Sequence, residues 1–178
     1  DFEEAGYLAM FTREGRVKRT VLSEFEDVRP SGLIAIRLED GPSGQDELGW
    51  VRRTQGGQEL IVVTEQGQAL RFRENEVRPV GRNAMGVYAI RLRPGDRVVS
   101  ACIVDPEADL LTVTTTGYGK RTPLSAFRTQ GRYTKGGLCF RGKKAGTIAA
   151  AGIVHPEDQI AFITAGGIAL RTHAREIS

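Results

Sequence analysis

The sequence of 178 residues contains no long apolar run. None of its hydrophobic stretches approaches the roughly 18 residues that a membrane-spanning helix requires. Residues 1–4 are acidic, unlike the positively charged start and apolar core of a signal peptide. These absences argue against a membrane as a partner. A first residue of Asp rather than Met predicts that the chain is a piece of a longer protein.

Cysteine and histidine are scarce, with two of each. Cys102 and Cys139 are too few for a disulfide framework or a zinc site, so we expect buried, reduced thiols. His155 and His173 lack the spacing of a metal-binding pair, and no nucleophile motif is present. Residues 117–122 contain Gly, Lys and Thr but lack the four-residue gap of a phosphate-binding loop. We therefore expect no catalytic site, no metal and no cofactor in this chain.

Acidic residues are missing from one long stretch, although the net charge of the chain is only +3. No Asp or Glu occurs between residues 110 and 156. The eight cations of that stretch are Lys120, Arg121, Arg128, Arg132, Lys135, Arg141, Lys143 and Lys144. A field of one sign over 47 residues predicts a polyanionic partner, since a solvated surface usually mixes its charges.

The chain repeats itself about every 50 residues. Its 22 glycines exceed the usual share of about 7%. Gly15, Gly67, Gly117 and Gly167 follow one another at steps of 52, 50 and 50. The same steps separate Thr12, Thr64, Thr114 and Thr164, and also Arg19, Arg71, Arg121 and Arg171. We predict repeats at 5–57, 58–107, 108–157 and 158–178, the last of them incomplete.

Each repeat is predicted to contain short strands. In the second repeat, two β-branched runs at 60–64 and 69–72 flank a turn with Gly67, which is a hairpin pattern. Residues 86–92 and 97–104 read as two further strands. Residues 22–26 and 124–127 are short enough for one helical turn each. Four strands per 50 residues predict an all-β, propeller-like repeat of four-stranded blades. The chain would form an open arc of a larger disc, or borrow strand edges from neighbouring chains.

Arginines recur once per repeat at two positions. One series is Arg19, Arg71, Arg121 and Arg171 on the second hairpin strand, and the other is Arg37, Arg91 and Arg141 on the third strand. Two interpretations stay open for the first series. Its members line a rim that follows a nucleic-acid backbone, or they brace neighbouring blades through carboxylates and carbonyls. For the loop at 130–136, which has two cations, an aromatic residue and no acid, we favour a binding role.

Several motifs resemble the C-terminal domain of the A subunit of bacterial DNA gyrase. They are residues 15–25 and 117–122, and the repeated pattern Val-Arg-Pro, Gly and Ile-Arg-Leu seen at 28–38 and 77–92. The resemblance covers essentially the whole chain. It implies a β-pinwheel, a propeller-like disc of typically six blades in which a strand is exchanged between blades.

The same resemblance implies a function. The basic rim of such a domain binds and wraps duplex DNA, and so supports ATP-dependent negative supercoiling by the whole enzyme. The expected partners are duplex DNA, the rest of gyrase A, and gyrase B. The DNA-breaking tyrosine, ATP and Mg belong elsewhere in that enzyme, so the domain itself is non-catalytic and without cofactor. The expected location is the bacterial cytoplasm, at the nucleoid.

The residues predicted to bind DNA are basic and fall on the two arginine series and the acid-free stretch. They are Lys18, Arg19, Arg37, Arg71, Arg91, Lys120, Arg121, Arg128, Arg132, Lys135, Arg141, Lys143, Lys144 and Arg171.

One element of the gyrase family is only partly present. The gyrase box reads Gln-Arg-Arg-Gly-Gly-Lys-Gly, and residues 130–136 match it at Gln130, Arg132, Lys135 and Gly136. We interpret this stretch as the equivalent loop of a later blade and expect the box before Asp1. The chain would then run from about the second blade into the fifth, and bind DNA without wrapping it fully. The alternatives are the C-terminal domain of the A subunit of topoisomerase IV and a protein-interaction propeller.

Overall fold

The computed structural model describes residues 5–41, 44–141 and 146–178. Lys143 and Lys144, two of the predicted DNA-binding residues, lie outside the described residues. The described part contains fifteen strands, four short 3-10 helices and no α-helix. None of its helices has the length and apolar character needed to cross a bilayer.

The strands are grouped by the predicted repeat in which each lies. The first repeat contains β1 (Tyr7–Thr12), β2 (Arg16–Val21), β3 (Asp40–Gly41), β4 (Gly44–Gln45) and β5 (Leu48–Thr54). The second contains β6 (Glu59–Thr64), β7 (Gln68–Arg73), β8 (Val87–Tyr88) and β9 (Val98–Ile103). The third contains β10 (Asp109–Thr114), β11 (Gly119–Pro123), β12 (Gly137–Leu138) and β13 (Ile148–Val154). The fourth contains β14 (Gln159–Ile163) and β15 (Ala169–His173).

Each repeat opens with an antiparallel hairpin, namely β1–β2, β6–β7, β10–β11 and β14–β15. Gly67 turns the second hairpin at a φ of +81°, a conformation that glycine adopts without steric cost. The hairpin predicted around Gly67 is therefore confirmed. A 3-10 helix follows the second strand of every hairpin. These helices are Leu22–Phe25, Glu74–Glu76, Leu124–Ala126 and Ala174–Glu176. The first and third confirm the two predicted helical turns.

A strand is exchanged between successive repeats. β8 of the second repeat pairs with β2 of the first, with Val87 opposite Val17. β12 of the third repeat pairs with β7 of the second, with Gly137 opposite Ala69. The first two sheets have the orders β5-β1-β2-β8 and β12-β7-β6-β9, and the third has the order β11-β10-β13. The all-β blade architecture with an exchanged strand is therefore confirmed, and each four-stranded sheet crosses a predicted repeat limit.

The exchanged segment is less regular than the strand predicted at 86–92, because its hydrogen-bond partner changes along its length. Val87 and Tyr88 pair with β2, and the Ala89 amide then donates to the Gly15 carbonyl (2.8 Å). Two residues later, the Arg91 amide donates to the Thr134 carbonyl of the third repeat (2.9 Å). One segment thus joins three repeats.

Two glycines allow the exchanged strand to approach its hairpin. Gly86 has a φ of +85°, and a Cβ there would lie 2.3 Å from the Val17 carbonyl oxygen. Gly136 has a φ of +66°, and a Cβ would lie 2.3 Å from the Ala69 carbonyl oxygen. No side chain fits at such distances, so both positions require glycine.

The core lies between the sheets. Phe11, Val62, Leu70 and Phe72 are fully buried in the cluster that joins the first two sheets. Arg71 lies between two of these buried residues in sequence and is partly exposed, as the alternation of a strand requires. Cys102 and Cys139 belong to the next cluster and are buried, free thiols, as predicted.

Candidate nucleic-acid interface

Arg19, the first member of the arginine series on the second hairpin strand, crosses the junction between two repeats. Its Nε donates to the Val77 carbonyl oxygen at 3.0 Å, and its Nη1 donates to Glu74 Oε2 at 3.2 Å. Its guanidinium carbon lies 4.3 Å from the centroid of the Tyr7 ring. Arg19 and Glu74 are both buried, so this ion pair is shielded from water.

Arg71 makes the equivalent junction between the second and third repeats. It forms an ion pair with Glu59, and its Nη1 donates to the Leu124 carbonyl oxygen at 2.9 Å. Thr129 donates to the other oxygen of Glu59 at 2.7 Å. In the third repeat, Arg121 lies 3.4 Å from Asp109. All three arginines therefore have carboxylate partners within the protein.

Glu59 and Glu74 are held in their charged form. Burial alone would raise the pKa of Glu59, but hydrogen bonds from Thr129 and Arg71 outweigh it and lower that pKa. Burial likewise opposes ionisation of Glu74, and the donors around it, including the Gln58 amide and Arg19, lower its pKa overall. An anion that is stabilised in this way keeps its arginine in place.

Lys18 is also enclosed. Its side chain is fully buried, and its Nζ donates to the carbonyl oxygens of Ala35 (2.6 Å) and Arg82. Burial lowers the pKa of Lys18 to about 8. A buried amine that already holds two loop carbonyls has no surface to offer a phosphate.

These contacts correct the picture of one exposed row of cations. Of the two interpretations of the first series, the bracing one accounts for Arg19 and Arg71, whose side chains reach the next repeat, whereas Arg121 pairs with Asp109 of its own hairpin. We therefore propose that these three paired arginines and Lys18 serve the fold and do not touch DNA. Arg171, the fourth member of the series, is exposed.

Seven predicted residues are exposed and form no ion pair with any described residue. They are Arg37, Arg91, Lys120, Arg128, Lys135, Arg141 and Arg171. Cations without internal partners carry counterions in solution, and a polyanion releases those counterions on binding. This set is the candidate interface, and we call it the free-cation set.

Part of the free-cation set is brought together where repeats meet. The Arg91 amide donates to the Thr134 carbonyl, which places Arg91 beside Lys135. The same contact occurs one repeat earlier, where the Arg37 amide donates to the Ala84 carbonyl at 3.2 Å. The second arginine series thus meets the basic loops at successive junctions.

Carboxylates that the sequence analysis missed position these loops. Glu76 Oε2 accepts from the Arg132 amide at 2.8 Å, and Glu24 Oε2 accepts from the Arg82 amide at 3.1 Å. The sequence carried a signal for them, since Glu24 and Glu76 are 52 residues apart and Arg82 and Arg132 are 50 apart. Arg132 itself is half-buried, and its Nη1 donates to the Tyr88 carbonyl.

Tyr88 was also missed, whereas Tyr133 is the aromatic residue of the loop at 130–136, for which a binding role was predicted. Tyr88 and Tyr133 stack with ring centroids 5.5 Å apart, and the Arg16 guanidinium lies 4.5 Å from the Tyr88 ring. Tyr133 has a φ of +64°, which no other non-glycine residue shares in the described ranges. An L residue in this region costs about 1–2 kcal/mol. The sequence carries no signal for this conformation.

The histidines do not form a metal centre in the described structure. His155 Nε2 lies 3.0 Å from Asp105 Oδ2, and its backbone amide donates to Asp158 Oδ2 at 2.8 Å. No group of three His, Cys, Asp or Glu side chains in residues 5–41, 44–141 and 146–178 is arranged to hold a metal ion.

Known proteins share the sequence pattern of this chain. The family described as "DNA gyrase C-terminal domain, beta-propeller" matches residues 6–43, 58–105, 108–136 and 158–178. The DNA gyrase A subunit of Clostridium acetobutylicum is 48% identical over 87 residues, which is 49% of this chain and 10% of that protein. The DNA gyrase A subunit of Escherichia coli K12 is 43% identical over 109 residues, which is 61% of this chain and 12% of that protein.

Solved structures share the fold. The C-terminal domain of a DNA topoisomerase IV superposes with a TM-score of 0.92 at 31% identity, covering 100% of this chain and 55% of that one. A DNA gyrase A C-terminal domain superposes with a TM-score of 0.86 at 29% identity, covering 99% of this chain and 58% of that one. The chain thus spans about a tenth of the curated relatives and somewhat more than half of the solved domains.

Proposed function

The chain belongs to the DNA gyrase C-terminal domain family, and from this premise we propose that it binds duplex DNA through the phosphate backbone without reading base sequence. The observation that carries the proposal is the free-cation set, whose seven members are exposed and lack carboxylate partners among the described residues. Binding of this kind is electrostatic and needs no base-specific contact.

The paired arginines support this proposal, because they stabilise the fold while the free cations are left to bind DNA. Arg19 and Arg71 link neighbouring repeats, Arg19 through Glu74 and Arg71 through the Leu124 carbonyl, so the blades keep a fixed spacing. Arg37, Arg91 and Arg141 recur once per repeat, so a fixed spacing of the repeats presents these free cations at regular intervals. Bending 20–30 base pairs costs about 1–6 kcal/mol, which several phosphate contacts together offset.

We extend the proposal to the enzyme in which such a domain works. The chain would bend and wrap DNA as the non-catalytic part of a type IIA topoisomerase that acts with ATP in the bacterial cytoplasm. Its partners would be the rest of gyrase A, and gyrase B. Topoisomerase IV is the second candidate, because the fold superposes on its C-terminal domain with a TM-score of 0.92 against 0.86 for gyrase.

Binding of random-sequence duplexes of increasing length, measured across a salt series, tests the proposal. We expect affinity to rise with duplex length and to fall with salt at a slope of about −0.9 per phosphate neutralised. Binding that is absent at low salt, or that does not change with salt, would overturn the proposal. In a protein-interaction propeller, a polyanion competitor would leave the protein partner bound.

A domain exchange tests which enzyme the chain works in. Replacing the C-terminal domain of a gyrase or a topoisomerase IV with this chain, and scoring supercoiling and relaxation, separates the two candidates. Because the chain spans only part of those domains, we expect DNA binding with less wrapping than the parent gyrase gives. Gyrase-like wrapping by this chain alone would contradict that expectation.

A further inference from the structure

A cleft of about 340 Å³ lies where the first three repeats meet. Arg16 of the first repeat, Tyr88 of the second and Tyr133 of the third all line it. Its volume lies near the lower end of the range of about 300–1,000 Å³ that small-molecule sites occupy. The cleft is separate from the ion pairs that brace the repeats.

Tyr88 and Tyr133 form the aromatic wall of the cleft, which is exposed and held in place. Tyr88 is 43% exposed and Tyr133 is 49% exposed, although their rings stack on each other. The Tyr133 amide donates to the Ala89 carbonyl at 2.8 Å, which fixes the loop against the exchanged strand. Fifty residues earlier, the equivalent position is Asn83, which does not share the positive φ. A strained backbone that holds a large ring at the surface indicates a binding role for that ring.

The charges around the wall are of two kinds. Three arginines line the cleft, and Arg16 among them is paired with Glu39 at 3.8 Å. The charged lining residues are Arg16, Arg91, Arg93, Glu14, Glu39, Asp40, Asp46 and Asp96. Guanidinium groups bind phosphate. Carboxylates accept hydrogen bonds from the amino groups of bases but repel a phosphate backbone. A cleft with an aromatic wall and both kinds of charge therefore matches a whole nucleotide better than a stretch of duplex backbone.

We propose that this cleft binds an unpaired nucleobase that carries an exocyclic amine, stacked on the Tyr88–Tyr133 pair. The base amine donates to the carboxylates, and the adjoining phosphate binds Arg91. A base inside a duplex offers neither its face nor its pairing edge, so the site takes single strands, gaps and flipped bases. This inference rests on the proposed function, because it adds a contact to the same DNA-binding surface.

The test compares labelled single strands of about 12 nucleotides, made of adenine, cytosine or thymine alone, with an intact duplex and a duplex containing a one-nucleotide gap. Adenine and cytosine strands should bind more tightly than thymine strands, because thymine lacks an exocyclic amine. The gapped duplex should bind more tightly than the intact one.

Two variants test whether a base stacks on the Tyr88–Tyr133 pair. Tyr133→Gly suits the positive φ, so the fold should persist, and it removes the ring. It should weaken binding of the adenine strand about tenfold, and weaken binding of the intact duplex by less. Tyr118→Ala is the matched control, because Tyr118 is 60% exposed and does not line the cleft. Its binding should equal that of the parent chain.

The outcomes separate this inference from the proposed function. If the intact duplex binds, but the adenine strand does not bind or Tyr133→Gly does not weaken it, the cleft proposal fails alone. Equal binding of the three single strands would also overturn it. If the intact duplex does not bind at low salt, the proposed function fails.

Discussion

Arg19 and Glu74 form an ion pair of 3.2 Å between two repeats, with side chains only 7% and 0% exposed. The two residues are 55 positions apart in the chain. Glu74 also accepts hydrogen bonds from the amides of Gly56 and Gln58 (2.9 and 2.7 Å). The pair therefore links a hairpin of the first repeat to the 3-10 helix of the second, and Glu74 also holds the turn at 56–58 where the two repeats join.

Glu74→Gln should destabilise the fold strongly. It leaves Arg19 buried without a carboxylate, and breaking a buried ion pair in this way costs about 3–5 kcal/mol. Urea unfolding at about pH 7 measures the loss. Glu157→Gln is the control, since it breaks the exposed pair with Arg175 and should cost less than about 1 kcal/mol. Equal losses in the two variants would contradict a bracing role for Arg19.

Acid should weaken the fold through the same carboxylate. The pKa of Glu74 in the folded chain lies below the ordinary value of 4.5. Its contribution is therefore complete above that value and is lost as pH falls through the lowered pKa. The difference in unfolding free energy between the parent chain and Glu74→Gln should shrink on acidification. A difference that stays constant with pH would refute this linkage.

Lys18 should make the stability of the fold depend on pH in the alkaline range. Burial lowers its pKa from 10.5 to about 8. Between these values the unfolded chain binds a proton that the folded chain does not, so stability rises with pH. Lys18→Met should remove this rise, and unfolding free energies of the two proteins measured across that range report the difference. Parallel curves would show that Lys18 does not titrate as its burial implies.

The exchanged strand should depend on Gly86. Gly86→Ala adds the strain of a positive φ and a Cβ 2.3 Å from the Val17 carbonyl oxygen. Gly32→Ala is a matched control, since Gly32 has a φ of +80° and no atom within 4 Å of its Cβ position. The control should lower the free energy of unfolding by about 1–2 kcal/mol, and Gly86→Ala should lower it clearly more. Gly86→Ala should also weaken the protection of the amides of residues 87–90 against hydrogen exchange. Equal costs would show that the exchanged strand does not need this close approach.

Most of the fold could be predicted from the sequence because the chain repeats about every 50 residues. Glycines such as Gly67 recur at turns that need a positive φ. Leu70 and Phe72 are buried and alternate with the partly exposed Arg71, as a strand requires. Strand exchange came from the family resemblance alone. The length of the exchanged strand was overestimated, because regular pairing with the first repeat ends by Ala89 and the Arg91 amide bonds to the third repeat.

The roles of the arginines were not predictable from the sequence. Twelve residues before Arg71 stands Glu59, and twelve before Arg121 stands Asp109, but Tyr7 takes that place before Arg19. The partner of Arg19 is an acid in the next repeat, which no local pattern indicates. The partners of Arg71 and Arg121 lie in their own hairpins, but the pairing and burial of Arg19 are set by contacts between repeats, which the sequence alone does not show.

The central claim is that the free cations bind DNA, whereas the paired arginines hold the fold. The most direct measurement is the salt dependence of duplex binding by Arg91→Gln/Lys135→Gln beside the control Arg97→Gln/Arg175→Gln. Both double variants remove two exposed positive charges, but the control arginines are paired with Glu65 and Glu157. We predict that the first variant lowers the slope of log affinity against log salt by about 0.9 for each phosphate that is no longer neutralised, and that the control keeps the parent slope. Equal slopes for the two variants would contradict the account.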